Sequence, residues 1–169
     1  MAKKRNPLAA TGQTVRTNIR RLREARSFGY AELARRLKAT GRSIPELGLR
    51  RIEEGERRVD VDDLMALAAA LEVSPSALLM PSTTAGDETV ATAVGDVAAR
   101  RLWNWLTGEM PLAGETPSGV FGFISRSVPD WLLGTDYHLV ETGLPPDKTY
   151  SVRRKDKVLG RGMDTDGDD

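Results

Sequence analysis

Residues 48–58, GLRRIEEGERR, place four arginines and three glutamates around a single isoleucine. Guanidinium groups at this density either pair with neighbouring carboxylates on a solvated face or grip a polyanion. The planar fork of arginine matches phosphate oxygens and the O6/N7 edge of guanine. On a helix turning about 100° per residue, Gly48, Leu49 and Ile52 share one side, and Leu47, Arg50, Arg51 and Glu54 share the other. Pairing Arg50 or Arg51 with Glu54 would contribute only about 0.2–0.5 kcal/mol, and a basic residue before an acidic one is the weaker order. Arg57 and Arg58 follow directly and LARRLKATGR precedes, so basic groups accumulate around one element. That accumulation favours a charged partner over a merely solvated face.

Other chemistries find little support. There are no cysteines, which removes disulfides, thiolate catalysis and a Cys-based zinc site, and the one histidine, His138, leaves no multi-His metal site. No cofactor or metal is expected. The C-terminal DTDGD is similar to the start of a calcium loop but lacks the later glutamate. A Ser/Lys pair, Ser118 with Lys155, would need the lysine desolvated and in hydrogen-bond reach. Lys155 stands in RRKDK, a solvated type of sequence, so the chain is expected not to be an enzyme.

Charge is distributed unevenly. The chain carries a net +1 overall, but residues 1–60 hold 16 Lys and Arg against 7 Asp and Glu, a net of +9. Residues 61–82 add three acids and no base, and residues 83–169 carry a net of −5. The basic first half has the electrostatic footprint of a polyanion binder. No apolar run approaches the roughly 20 residues of a membrane span, and MAKKRNPLAA lacks the apolar region of a signal peptide. A cytoplasmic protein, associated with the nucleoid and without membrane contact, is the expectation.

Five helices must position these charges. Val15, Ile19, Leu22 and Ala25 share a face of the first. Tyr30, Leu33, Ala34 and Leu37 do so in the second, with Gly29 as N-cap. The third runs from near Pro45 to Gly55, where glycine suits a left-handed C-terminal cap. The fourth has Asp60 as N-cap, Asp62 and Asp63 in its first turn, and a stripe of Val61, Leu64, Met65, Ala68 and Leu71. Ser74 and Pro75 open a short fifth helix. The fold class is all-α for this half, with a mainly helical or irregular region after it.

The segments ELARRL, LRRIEEGERR and VDVDDLMALAAALEVSP, in that order, resemble the Cro/C1-type (XRE-like) helix-turn-helix domain of phage repressors and bacterial regulators. The matching positions are Leu33-Ala34, Ile52-Glu53-Glu54-Gly55, and Leu64, Leu67-Ala68, Leu71, Val73 and Ser74, within residues 14–80. RRVDVDDL further resembles regulators common in actinobacteria and their phages. The resemblance implies that the third helix enters the major groove of double-stranded DNA with Glu46, Leu47, Arg50 and Arg51 against bases. It implies phosphate contacts from Tyr30, Arg57 and Arg58, with Lys38 and Arg42 as additional candidates, and a structural ion pair between Arg23 and Glu53. One departure stands out: KATGRSI, between Leu37 and Pro45, is longer than the family's usual tight turn. It either lengthens helix two or forms a loop that ends at Ser43.

The expected organisation is a flexible basic arm over 1–13 with Lys3, Lys4 and Arg5, the helix-turn-helix domain over 14–80, a linker over 81–92, a C-terminal region over 93–160 and a disordered acidic tail over 161–169. The C-terminal region holds all three tryptophans and a loosely helical pattern of Val94, Val97, Leu102, Trp105 and Leu106. Dimerisation or binding of a protein partner is its expected role. A homodimer is also expected because one short helix reads few base pairs. The function implied is a sequence-specific transcriptional regulator, a repressor by family analogy. The alternatives are a protein-binding module, an antitoxin or adaptor, and more remotely a self-cleaving Ser/Lys repressor cut at Ala85-Gly86.

Overall fold

The computed structural model describes residues 7–113, 116–133, 137–142 and 149–154, with 137–142, 149–154 and the helix-end residues Pro117 and Leu133 by backbone alone. The chain divides into two compact units, residues 1–106 and 107–169. The first unit begins with helices α1 (Ala10–Ala25), α2 (Tyr30–Ala39), α3 (Glu46–Glu53), α4 (Val61–Ala70) and α5 (Pro75–Leu79). Their apolar faces meet in one core. Ile19 from α1, Leu33 and Leu37 from α2, Leu49 and Ile52 from α3, Leu67 and Leu71 from α4 and its end, and Leu78 from α5 are all fully buried.

Helices α1 to α4 end alike, each followed by a residue in the left-handed region: Ser27 (φ 54°), Gly41 (φ 85°), Gly55 (φ 80°) and Glu72 (φ 54°). After α2, for example, the amide of Arg42 donates to the Leu37 carbonyl at 3.2 Å and that of Gly41 to Lys38 at 3.1 Å. These bonds satisfy carbonyls that the helix leaves open. At the two non-glycine positions the Cβ opposes the conformation. Ser27→Gly is therefore expected to raise stability by about 1 kcal/mol, read as a higher denaturation midpoint at unchanged slope; a lower midpoint would contradict this.

The long α2–α3 connection is a loop, one of the two expected forms, but it runs to Pro45 rather than ending at Ser43, and α2 gains two residues past Leu37 rather than a turn. α2 continues to Ala39, and residues 40–45 then form a loop that drives Ile44 into the core at 1% exposure. Pro45 is the N-cap of α3 with extended backbone, and proline there disfavours further helix in the residue before it. At α4, Asp60 caps as expected, accepting from the Asp63 amide at 2.7 Å, and Ser74 accepts from Ala77 at α5. The expected α4 stripe needs correction. Val61 and Met65 are exposed, and the buried face is Ala66, Leu67, Ala68, Ala70 and Leu71. A helix apolar nearly all round offers periodicity little with which to choose a face. Ala25 is likewise exposed, whereas Asn18, on the core side of α1, is buried. Its amide nitrogen donates to the carbonyls of Leu78 at 3.0 Å and Met80 at 2.7 Å, tying α1 to the end of α5.

The boundaries differ from expectation in three places. α1 starts at Ala10, inside the stretch expected as a flexible arm. Strand β1 (Thr89–Thr92) occupies the end of the expected linker. It pairs antiparallel with β2 (Gly95–Ala98), and α6 (Ala99–Leu106) follows at once, so Val94 and Val97 belong to a hairpin rather than a helix. Gly95, at φ 112°, closes the turn. The hairpin and α6 are part of the first unit, with a satellite core of Val90, Ala99 and Leu102 against Met80, Val97 and Leu106. The hairpin tip is tied to α1 where the Ala93 amide donates to Thr11 Oγ1 at 3.0 Å.

The second unit contains α7 (Pro117–Ser127), α8 (Asp130–Leu133) and an antiparallel hairpin of β3 (Tyr137–Thr142) with β4 (Thr149–Arg154). Thr116 caps α7 by accepting from the Gly119 amide. Val120 and Ile124 are buried, whereas Phe121 and Trp131 are exposed. Lys3, Lys4, Arg5, Lys155, the expected acidic tail and the side chain of His138 lie outside the described residues.

Candidate nucleic-acid interface

α3 has two faces of opposite chemistry because its apolar residues recur at Leu49 and Ile52. With those two in the core, Glu46, Leu47, Arg50, Arg51 and Glu54 are all exposed, Leu47 at 58%. The four residues expected to face bases thus share one accessible surface. Gly48 sits at the side, where an added Cβ would lie 2.9 Å from Arg57 Nη1 and 3.1 Å from Ile44 Cγ2. The missing side chain is what lets Arg57 and Ile44 close against α3.

A buried ion pair fixes α3 to α1. Arg23 Nε donates to Glu53 Oε1 at 2.7 Å and Arg23 Nη2 to Glu53 Oε2 at 2.9 Å. The two side chains are 11% and 3% exposed. The remaining Arg23 nitrogen donates to the Phe28 carbonyl at 2.9 Å, so all three guanidinium nitrogens are engaged. Hydrogen bonding to Glu53 outweighs the cost of burial and holds the guanidinium above its usual range. From α1, Arg16 Nη1 also donates to the Glu53 carbonyl at 2.9 Å, satisfying the end of α3.

Tyr30 departs from its expected phosphate role. Its hydroxyl donates to Glu53 Oε2 at 2.9 Å, so its one proton is already committed. Burial, then that hydrogen bond, raises its pKa. The guanidinium carbons of Arg23 and Arg50 lie over its ring, at 4.4 and 5.4 Å from the centroid. The tyrosine therefore links the buried pair to the exposed face of α3.

Arg42 and Arg57 also differ from simple phosphate ligands. Asp63, 1% exposed in its side chain, accepts from Arg42 Nε at 2.8 Å through Oδ1 and from Arg57 Nη2 at 2.7 Å through Oδ2. Arg42 further donates to Asp60 at 2.9 Å and has Asp62 at 3.6 Å. One buried carboxylate thus joins the loops on either side of α3 to the start of α4. Helical periodicity reads Asp63 only as a favourable first-turn acid and misses this role. The available signal is the run of three aspartates over 60–63 opposite an arginine-rich loop.

Ion pairing sorts the remaining cations. Glu32 accepts from Arg35 and Arg36, whose hydrogen bonds pull its carboxyl down to about 2. It therefore stays charged at every pH at which DNA is handled, and its support for α2 is lost only as pH falls toward that value. Arg36 also reaches Glu72 at 2.8 Å, and Arg20 pairs with Glu24 at 2.9 Å. Arg58 Nη2 donates to the Pro7 carbonyl at 2.9 Å. Among the described residues Arg51 has only Glu56, at 4.0 Å. Among the described residues Arg50 and Lys38 form no ion pair, and both are exposed. Arg16, Arg21 and Arg26 form no ion pair either, but each donates to an uncharged oxygen, on Gln13 and the Glu53 carbonyl, on Asn18 and on the Glu72 carbonyl. Within α1–α5 the described cations with no hydrogen-bonded acceptor are Lys38 at the end of α2 and Arg50 and Arg51 on α3.

No group of metal-ligating side chains occurs among the described residues. No helix among them is long and apolar enough to cross a membrane. Of the remote Ser/Lys pair, Ser118 lies in the first turn of α7 and Lys155 is outside the described residues. Residues 19–78, from within α1 to α5, match the family model described as helix-turn-helix. No curated protein and no solved structure matches the chain.

Proposed function

We propose, from the premise that residues 19–78 are a helix-turn-helix domain of the Cro/C1-type family of DNA-binding transcription regulators, that this chain is a sequence-specific repressor reading the major groove with α3. The observation that carries the reading is the exposed face of α3, where Arg50 and Arg51 are left for an outside partner while the other faces are buried or internally paired. Arginine there offers guanine a bidentate contact, Glu46 an acceptor for cytosine N4, and Leu47 an apolar contact for a thymine methyl. Lys38 supplies charge for phosphates. Two copies of the chain bind as a homodimer, because a single α3 spans too few base pairs for useful specificity. The site of action is the nucleoid, in the cytoplasm.

A second reading, a module that binds protein instead of DNA, draws on Val61 and Met65. They are exposed one turn apart on α4 at 76% and 56%. The two readings differ in salt response. Counterion release from a duplex gives a log affinity that falls linearly with log salt, by about 0.9 per phosphate neutralised. Titration of the full chain into a labelled duplex at several salt concentrations is expected to give a steep negative slope. Affinity that is absent or unchanged by salt would favour the protein-binding reading.

A further inference from the structure

We propose that Tyr30 is a specificity-positioning residue, holding the Arg50 guanidinium over its ring in the free protein so that Arg50 meets its base already oriented. This rests on the DNA-reading function above. The residues form a chain: Arg23 grips Glu53 with two hydrogen bonds at 2.7 and 2.9 Å, and Glu53 accepts the Tyr30 hydroxyl at 2.9 Å. The ring so fixed then lies under Arg50 at 5.4 Å. That distance is within the roughly 6 Å over which a cation is attracted to an aromatic face. Arg50 is otherwise exposed and without an ion pair among the described residues, so the ring is its positional restraint.

The restraint matters because a free arginine side chain samples many rotamers and loses that freedom on binding. A side chain held near its bound geometry loses less. The rigid part of the domain, the α1–α3 ion pair, is thereby connected to one side chain on the reading surface. Arg51, one residue later, has no such support, so the two arginines are unequal: Arg50 is the orienting contact and Arg51 the adaptable one.

Affinities of wild type, Tyr30→Leu, Tyr30→Phe, Arg50→Ala and the Tyr30→Leu/Arg50→Ala double variant are measured on a duplex selected by wild type and on a scrambled duplex. Tyr30→Leu is expected to lose about 2- to 5-fold on the selected duplex, with scrambled-duplex affinity and salt slope unchanged. Tyr30→Phe, which keeps the ring, should retain the larger part of the affinity, and Tyr30→Leu should have no further effect once Arg50 is alanine. Equal losses on both duplexes, or a full loss that persists without Arg50, would overturn the positioning role while leaving the DNA reading standing. Wild type that selects no duplex would instead sink the DNA reading and this inference with it. NMR of the unmodified protein gives a second test that needs no variant. The Arg50 side-chain protons should show an upfield ring-current shift that a freely mobile arginine would lack.

Discussion

Alanine at Arg23 is expected to lower folding stability by about 3–5 kcal/mol, the largest single-residue effect anticipated outside the apolar core. The magnitude follows from what is left behind. Glu53 would remain buried with only the Tyr30 hydroxyl as a side-chain donor, and the Phe28 carbonyl would lose its partner. A charge stranded in that position costs far more than the pair itself contributes, because desolvation offsets much of the attraction between the partners. Replacing both residues with apolar ones, Arg23→Met with Glu53→Leu, is therefore expected to recover a large part of the loss. Denaturant unfolding of the three proteins checks both statements. A loss below about 1 kcal/mol for Arg23→Ala would mean that the pair is solvated and does not anchor α3.

The second large effect falls on binding and leaves the fold intact. Arg50→Ala/Arg51→Ala removes two exposed side chains from α3. Neither makes a close ion pair among the described residues, the nearest carboxylate to Arg51 being at 4.0 Å, and the Arg50–Tyr30 ring contact is an exposed one, so stability should change by no more than about 1 kcal/mol. Each bidentate arginine–guanine contact discriminates by about 1–3 kcal/mol. The double variant should therefore bind the specific site at least about 30-fold more weakly, and the salt slope should become shallower because two charges are gone. Unfolding and duplex titration on the same preparations separate the two effects. An unfolded variant, or one that binds as wild type does, would contradict the assignment of this face.

The buried skeleton of the first domain is legible from sequence because it obeys the 3.6-residue period: Ile19, Leu33, Leu37, Leu49 and Ile52 are fully buried, and Asp60, Ser74 and Gly55 stand where capping chemistry places them. The exposed set on α3 follows from the same periodicity, since burying Leu49 and Ile52 leaves Arg50 and Arg51 outside. What periodicity cannot read is which arginine finds which carboxylate. Arg42 and Arg57 are phosphate ligands by the resemblance, yet both meet Asp63, a contact set by how two loops fold around α3. Tyr30 occupies a phosphate-facing position by analogy, yet its hydroxyl turns inward because Glu53 offers a buried acceptor. The β1–β2 hairpin is illegible in the sequence for a different reason. Its strands have four residues each, with only Val90 buried in β1, too short for alternation to stand out against an adjoining helical pattern.

Selection of bound duplexes from a randomised DNA pool asks whether α3 presents a sequence-reading surface without presupposing the sequence it reads. The full chain is predicted to enrich a two-fold symmetric site that Arg50→Ala/Arg51→Ala, folded to the same helix content, fails to enrich. Enrichment of no sequence by the folded wild-type chain, or of the same site by both proteins, would contradict a sequence-reading α3.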